Sequence, residues 1–421
     1  MTMQLEMSLQ GDVALGSPSE AVYTPAIRFK GFSGDWEEKT LGDVTEYKNG
    51  KGHEDQQKSS GNFELVNLNS ISIDGGLKPS GKFIDEADIT LDKDDLVMVL
   101  SDVAHGNLLG RVAIIPKNNF YVLNQRVALL RPNDDIFSLF MLYNINAHQF
   151  YFKSQGAGMS QLNISKRSVE NFSTFIPQKA EQTAIGNYFQ QLDSLIAQHQ
   201  HKHTKLLNLK QALLQKMFPQ QGATVPEVRF KGFSGDWEKK KIGDILAEVK
   251  RPIELLDAER YQLVTVKRRN EGVVPRSLLK GSEILVKNYF VIKSGDFLIS
   301  KRQVVHGANG IVPDQLDNAV VSNEYLVITD SQHITAKFWT AISKKPEMHK
   351  LFFVSSYGVD IEKLVFDVSD WAKRTIVIPT VSEQIRITEY LQQLDHLITQ
   401  QNALLTKLSN LKQAYLAKMF I

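Results

Sequence analysis

The chain has no cysteine in 421 residues. That excludes disulfides, cysteine-ligated zinc and a thiol nucleophile, and it fits a reducing, cytoplasmic setting. Charge of one sign is also missing: 49 Lys and Arg against 47 Asp and Glu leave a formal net charge of +2. A nucleic-acid surface would therefore have to be a local patch, because the chain as a whole offers no basic field. No apolar run approaches the ~20 residues that a membrane-spanning helix needs. The opening "MTMQLEMSLQGDVALGSPSEAVYTPA" lacks a basic stretch followed by an apolar one. It does not read as a signal peptide, and residues 1–26 are expected to form a loosely ordered leader.

Catalytic signatures are missing as well. No Asn-Pro-Pro-aromatic run, no glycine-rich methyl-donor loop after a strand and no G-x-S-x-G elbow occurs. "GLKPSGKF" (Gly76–Phe83) falls short of a phosphate-binding P-loop, since Phe83 stands where a magnesium-binding Ser or Thr is required and no helical pattern follows. "HQHKH" (His199–His203) places His199 and His203 on one helix face, but no carboxylate lies nearby and the matched stretch of a repeat reads "QNALL". Neither a metal nor a cofactor is expected on this chain.

What is present is repetition. "RFKGFSGDWE" occurs at Arg28–Glu37 and again, letter for letter, at Arg229–Glu238. A second duplicated block starts at Ile176 ("IPQKAEQTAIGNYFQQLDSLI…LKQALLQKMF") and at Ile378 ("IPTVSEQIRITEYLQQLDHLI…LKQAYLAKMF"). Such self-similarity marks an internal duplication. Between the blocks lie two segments of domain size, Thr45–Phe175 and Leu246–Val377, on the order of 130 residues each. These share far less sequence than the blocks that flank them.

The end blocks read as helices. Apolar residues recur at three- and four-residue steps: Ile185, Phe189, Leu192, Ile196, Leu206, Leu213 and Met217, then Ile387, Leu391, Leu394, Ile398, Leu405, Leu408, Tyr415 and Met419. This is coiled-coil spacing, and about 38 residues at 1.5 Å each predict a rod of roughly 57 Å. A second apolar row, including Leu195, Leu209, Leu397 and Leu411, widens the stripe beyond what a two-helix seam needs. His199 and Gln401 fall where the heptad asks for an apolar residue; a register-fixing polar pair and a solvent-facing stutter both remain open. The intervening segments read as strands and loops, with shared anchors (Ser101…His105-Gly106…Gly110 against Ser300…His306-Gly307…Gly310) and different loops.

Those loops carry the candidate contacts. The second segment gathers Lys267, Arg268, Arg269, Asn270, Lys301, Arg302, Gln303 and His306. The first offers Lys48, Asn49, Lys51, His53, Ser101, His105 and Asn107, with the small-residue loop "SQGAGMSQ" (Ser154–Gln161). Arg and Lys suit phosphates and guanine edges, while Asn and Gln suit adenine. Each residue alone reads better as part of an ordinary solvated loop; the clusters together, on a duplicated scaffold, favour DNA.

The order of parts, the "FSGDWE" segments, the "GAGMSQLNIS…IP" passage and the "EQ…YFQQLDSLI…LKQALLQKMF" helix together resemble the specificity subunit of type I restriction–modification systems. The resemblance covers nearly the whole chain from Ile27. It implies an α+β fold: two duplicated β-rich target-recognition domains separated by two long antiparallel coiled-coil helices in a pseudo-twofold arrangement. Residues 27–177 and 220–379 would be the recognition domains, the latter with its linker, and 178–219 and 380–421 the helices. It further implies a non-catalytic DNA-reading subunit, each domain taking half of a split site on double-stranded DNA. The partners would be two methyltransferase subunits and, optionally, two endonuclease/translocase subunits, which carry the S-adenosylmethionine, ATP and Mg sites. Trp36, Trp237, Leu195, Leu209, Leu397 and Leu411 are the expected partner-binding residues. The rival reading is a structural or tethering protein with coiled-coil rods and two protein-binding domains.

Overall fold

The computed structural model describes residues 23–103, 106–159, 161–220, 222–286 and 288–421, together with the backbone of the strand Met7–Leu9. His105 lies outside the described residues. The fold is α+β, and the chain divides into two units, each of which combines one β-rich domain with the ends of both long helices. The helices run over Lys179–Lys216 and Val381–Met419, 38 and 39 residues. No described helix is long and apolar enough to cross a membrane.

The first unit comprises Met1–His201 and Asn402–Ile421. Its central antiparallel sheet runs in the order Thr45–Asn49, Val127–Pro132, Leu96–Val99, Val112–Ile114. The strand Leu96–Val99 is buried on both faces, because successive side chains point to opposite sides of a sheet. Leu96 and Met98 enter a core with Phe140, Met141 and Ile145 of the helix Ser138–Ala147, while Val97 and Val99 enter a second core with Val66 and Ile71. The strand Met7–Leu9 pairs antiparallel with Ile27–Phe29, so the segment expected to be a loose leader supplies an edge strand at this point.

The second unit is Lys202–Gln401. A five-stranded sheet orders Pro252–Ile253, Tyr289–Val291, Val320–Ser322, Arg260–Lys267 and Gly272–Lys280; a three-stranded sheet orders Asn309–Ile311, Phe297–Ser300 and Tyr325–Ile328. The division of labour repeats: Phe297 and Ile299 face Phe338 and Trp339 of the helix Ala336–Ser343, and Leu298 faces the other way.

In both units a two-stranded ribbon joins the beginning and end of the domain just before the long helix starts: Glu37–Thr40 with Ser173–Ile176, and Glu238–Lys241 with Thr375–Ile378. The duplicated residues then clamp the helix. Arg28 makes a bidentate pair with Glu181, Nε and Nη2 each 2.7 Å from a carboxylate oxygen, and Arg229 holds Glu383 at 2.8 and 2.7 Å. Arg28 also donates to the carbonyls of Gly34 and Ser33, which fixes the turn of its own segment. The adjacent glutamines satisfy backbone groups. Gln182 accepts from Phe137 N–H and donates to the carbonyls of Pro177 and Asp135; Gln384 accepts from Thr335 N–H and donates to those of Pro379 and His333.

The helix ends explain the other duplicated motif. In the first unit Phe420 packs on Phe140 and Phe189, Tyr415 meets Tyr188, and Lys412 pairs with Asp193 at 2.6 Å. Asp193, a turn beyond Phe189, meets Lys412, which precedes Phe420, so the pairing is antiparallel. In the second unit Phe218 packs on Trp237 and Phe338, and Lys210 pairs with Asp395. Each "KMF" end is thus a plug in the core at the base of a β-rich domain.

Trp36 and Trp237, expected to meet a partner, are 2% and 3% exposed. Trp36 lies edge-on to Phe140, and Trp237 lies edge-on to Phe218 and Phe338. They are core residues at the foot of each domain and present no surface to a second chain. Leu195, Leu209, Leu397 and Leu411, by contrast, are exposed.

Removing one partner of a buried ion pair strands the other charge, which costs about 3–5 kcal/mol. Arg28→Ala and Arg229→Ala are each expected to lower unfolding free energy by that order. Arg28→Lys should recover only part of the loss, since an ammonium cannot form the fork. Urea titrations followed by circular dichroism check this.

Candidate nucleic-acid interface

The basic residues of the second unit sit on a hairpin tip. Strands Arg260–Lys267 and Gly272–Lys280 pair to Lys267↔Gly272. Glu271 N–H donates to the Arg268 carbonyl at 3.3 Å, and Arg269 and Asn270 between them take φ of 59° and 57°. Two consecutive left-handed residues define a type I′ turn, whose twist suits a hairpin. Asn tolerates that conformation; Arg does so at a cost of roughly 1–2 kcal/mol. The tip is held by its surroundings: Arg269 N–H donates to the His306 carbonyl at 2.7 Å and Asn270 N–H to the Gly307 carbonyl at 2.8 Å. Gly307 itself has φ of 76°, and a Cβ there would lie 3.1 Å from Asn270 Nδ2. The "His-Gly" anchor therefore receives the hairpin tip, and it brings together two loops that are about 35 residues apart in the chain.

The charges on this surface are mostly partnered. Arg268 donates from Nε to Gln303 Oε1 at 2.8 Å and from Nη2 to Glu362 Oε2 at 2.7 Å. His306 Nε2 lies 3.4 Å from Glu362 Oε1. Arg302 pairs with Glu324 at 2.7 Å; that hydrogen bond and charge hold its guanidinium above the ordinary range. Lys267 reaches Glu271 at 4.0 Å, and Lys301 Nζ donates to the Asn323 carbonyl at 2.8 Å. Arg268, Arg269, Asn270, His306 and His349 line a cleft of about 510 Å³. So six of the eight sequence-selected residues of this unit converge around the tip, while Lys301 and Arg302, on the same loop as Gln303, turn to Asn323 and Glu324.

The first unit is assembled differently. Lys48 is exposed on the strand Thr45–Asn49 and pairs with Glu46 at 2.8 Å. Tyr47 donates to Asn49 Oδ1 at 2.6 Å, the backbone of Lys51 forms an isolated parallel β-bridge with that of Asn124, and His53 opens the 3₁₀ turn Glu54–Gln56. Asn107 is exposed and accepts from Lys153 at 3.3 Å. Ser101 does not belong with them. It is 2% exposed and donates to Asn163 Oδ1 at 2.7 Å, fixing the strand Gln161–Asn163 against Ser101–Val103. Its hydroxyl is used internally and cannot meet DNA. "GLKPSGKF" leads into the strand Phe83–Ile84 rather than a helix, and among the described residues no group of three or more His, Asp or Glu is placed to hold a metal.

Sequence reasoning missed the carboxylates. Glu362 is 94 residues from Arg268 and Glu324 is 22 from Arg302, in segments without a motif. The Arg28–Glu181 clamp had a usable signal, since the Arg and the "EQ" pair recur together in both repeats.

Residues 33–208 and 234–410 each match the family described as type I restriction modification DNA specificity domain. Two tandem matches cover most of the chain, and the chain belongs to this family. It is 21% identical over 392 residues to the type I restriction enzyme MjaVIII specificity subunit of Methanocaldococcus jannaschii, covering 86% of this chain and 87% of that one. In fold it is similar to the crystal structure of the type I restriction–modification S subunit from M. genitalium, with a TM-score of 0.55 and 15% identity over 94% of this chain and 99% of that one.

The receiving turn makes a direct prediction. Gly307→Ala must force a Cβ into both a left-handed backbone and the hairpin tip, and should lower unfolding free energy by about 1–2 kcal/mol or more. Arg269→Gly relieves the strained position and should leave stability unchanged or raised. Thermal unfolding of both variants is the measurement.

Proposed function

We propose that this chain is the non-catalytic DNA-recognition subunit of a type I restriction–modification enzyme, in which each β-rich unit reads one half of a bipartite site. The observation that carries the reading is the contrast between the two ends of each unit. At the helix end, the Arg–Glu clamp, the glutamine bracket and the Phe plug are duplicated. At the loop end, the polar tips are built from different residues on different strands. A conserved frame with divergent tips suits one shared partner type and two different ligands.

The helices supply the rest. At 38 and 39 residues they extend about 57 Å, enough to hold two readers one DNA turn, roughly 34 Å, apart. The exposed row Leu195, Leu209, Leu397 and Leu411 is the proposed docking surface for two methyltransferase subunits, one on each copy of the duplicated surface. Those subunits, and two endonuclease/translocase subunits where the system cleaves, would carry S-adenosylmethionine, ATP and Mg. The complex would act on chromosomal and incoming DNA in the cytoplasm.

Three outcomes are expected. Light scattering of the chain saturated with its methyltransferase should give two bound copies, and Leu195→Glu with Leu397→Glu should weaken that assembly while leaving circular dichroism of the β-rich units unchanged. A four-residue insertion after Thr204 should alter the number of unread base pairs and neither half-site. Methylation mapping that found an altered half-site at unchanged spacing would remove the helices from the spacer role.

A further inference from the structure

We infer that Arg268 is a specificity-determining residue that reads a guanine in the half-site of the second unit, with Glu362 and Gln303 as its positioning residues. This rests on the DNA-reading function proposed above and goes beyond it by naming the base and the atoms. A guanidinium has five N–H donors in one plane. In Arg268 the inner edge is occupied: Nε bonds Gln303 Oε1 and one Nη2 hydrogen bonds Glu362 Oε2. What remains is Nη1 and the outer Nη2 hydrogen, the end-on fork that matches guanine O6 and N7. The plane is already fixed by two side chains from two other loops, so binding a base would order little further, and such preorganisation favours affinity and selectivity.

Its neighbours are equipped for other tasks. Arg302 is tied to one carboxylate, Glu324, and Lys301 to a backbone carbonyl. Arg269 is exposed on the strained turn, next to the cleft, where a phosphate would satisfy it without any directional demand. Glu362 is itself anchored at its backbone, whose N–H donates to Asp360 Oδ1 at 3.0 Å, and its other oxygen lies 3.4 Å from His306 Nε2. A carboxylate anchored on the far side of an arginine can do one of two things. It can aim the arginine at a base, or it can merely screen the charge against phosphate. The single bond from Nε to Gln303, added to the one from Nη2 to Glu362, favours aiming, because screening alone needs no second acceptor on Nε.

The two roles separate in one experiment on the full chain complexed with its methyltransferase. Binding is measured to the mapped site and to the same site with each guanine of the second unit's half replaced in turn by 7-deazaguanine, which lacks the N7 acceptor. The wild type should lose affinity at one such position by about 2- to 12-fold, because removing N7 takes away one of the two hydrogen bonds of a bidentate contact. Arg268→Ala should show the full loss of the bidentate contact, about 5- to 140-fold, on unmodified DNA and be indifferent to 7-deazaguanine there, while discrimination in the other half-site is unchanged. Glu362→Gln and Gln303→Ala should relax preference at that same base pair and nowhere else. Indifference of the wild type to every 7-deazaguanine overturns the assignment. So does a Glu362→Gln variant that binds all sequences more tightly, which is the screening result. If the wild type has no sequence preference in that half-site at all, it is the underlying DNA-reading function that fails.

Discussion

A buried, bidentate arginine–glutamate pair at the start of each long helix is the interaction on which the architecture depends. Arg28 reaches Glu181 and Arg229 reaches Glu383 across more than 150 residues of sequence, the whole length of a recognition domain. Each pair closes its domain on itself and sets the direction in which the helix leaves. Desolvating two charges is costly unless every donor and acceptor is used, and here the remaining Arg28 donors go to the carbonyls of its own turn. The price of this arrangement is low tolerance: few other side chains could replace the fork. That explains a ten-residue identity which no single helix or strand would require.

The clamp also separates two kinds of sequence constraint within one domain. Residues near it must satisfy the helix start, the glutamine bracket and the aromatic plug, and they repeat almost unchanged. Residues at the opposite end answer only to the local hairpin and turn. There the hairpin Arg260–Lys267/Gly272–Lys280 of the second unit, with its left-handed tip, is received by Gly307, while the first unit relies on shorter strands and on the Ser101–Asn163 hydrogen bond. The tips can therefore diverge without disturbing the frame. Most tip charges are exposed pairs worth at most about 1 kcal/mol each, so a phosphate or base edge can replace a carboxylate at small cost.

Much of this was legible in the amino-acid order, for a physical reason. Long helices declare themselves by periodicity over many turns, and residues 178–219 and 380–421 were read to within a few positions of Lys179–Lys216 and Val381–Met419. The duplication exposed the frame, and the family resemblance gave the arrangement. Burial was less readable. Trp36 and Trp237 lie among charged and small residues, yet the chain turns at Gly34 and Gly235, both with positive φ, and the indoles enter the core. Ser101 looked like a polar tip and is an internal fastener. Glu362 and Glu324 were invisible, because a counter-charge brought in from a distant loop leaves no local pattern.

The proposed function requires one frame to carry two independent readers. It is tested most directly by replacing Thr45–Phe175 with a second copy of Leu246–Val377 and mapping methylation in cells that also carry the methyltransferase. The expected result is a new site whose two halves are the same sequence in inverted orientation, each equal to the half formerly read by the second unit. Continued methylation of the original asymmetric site would contradict it.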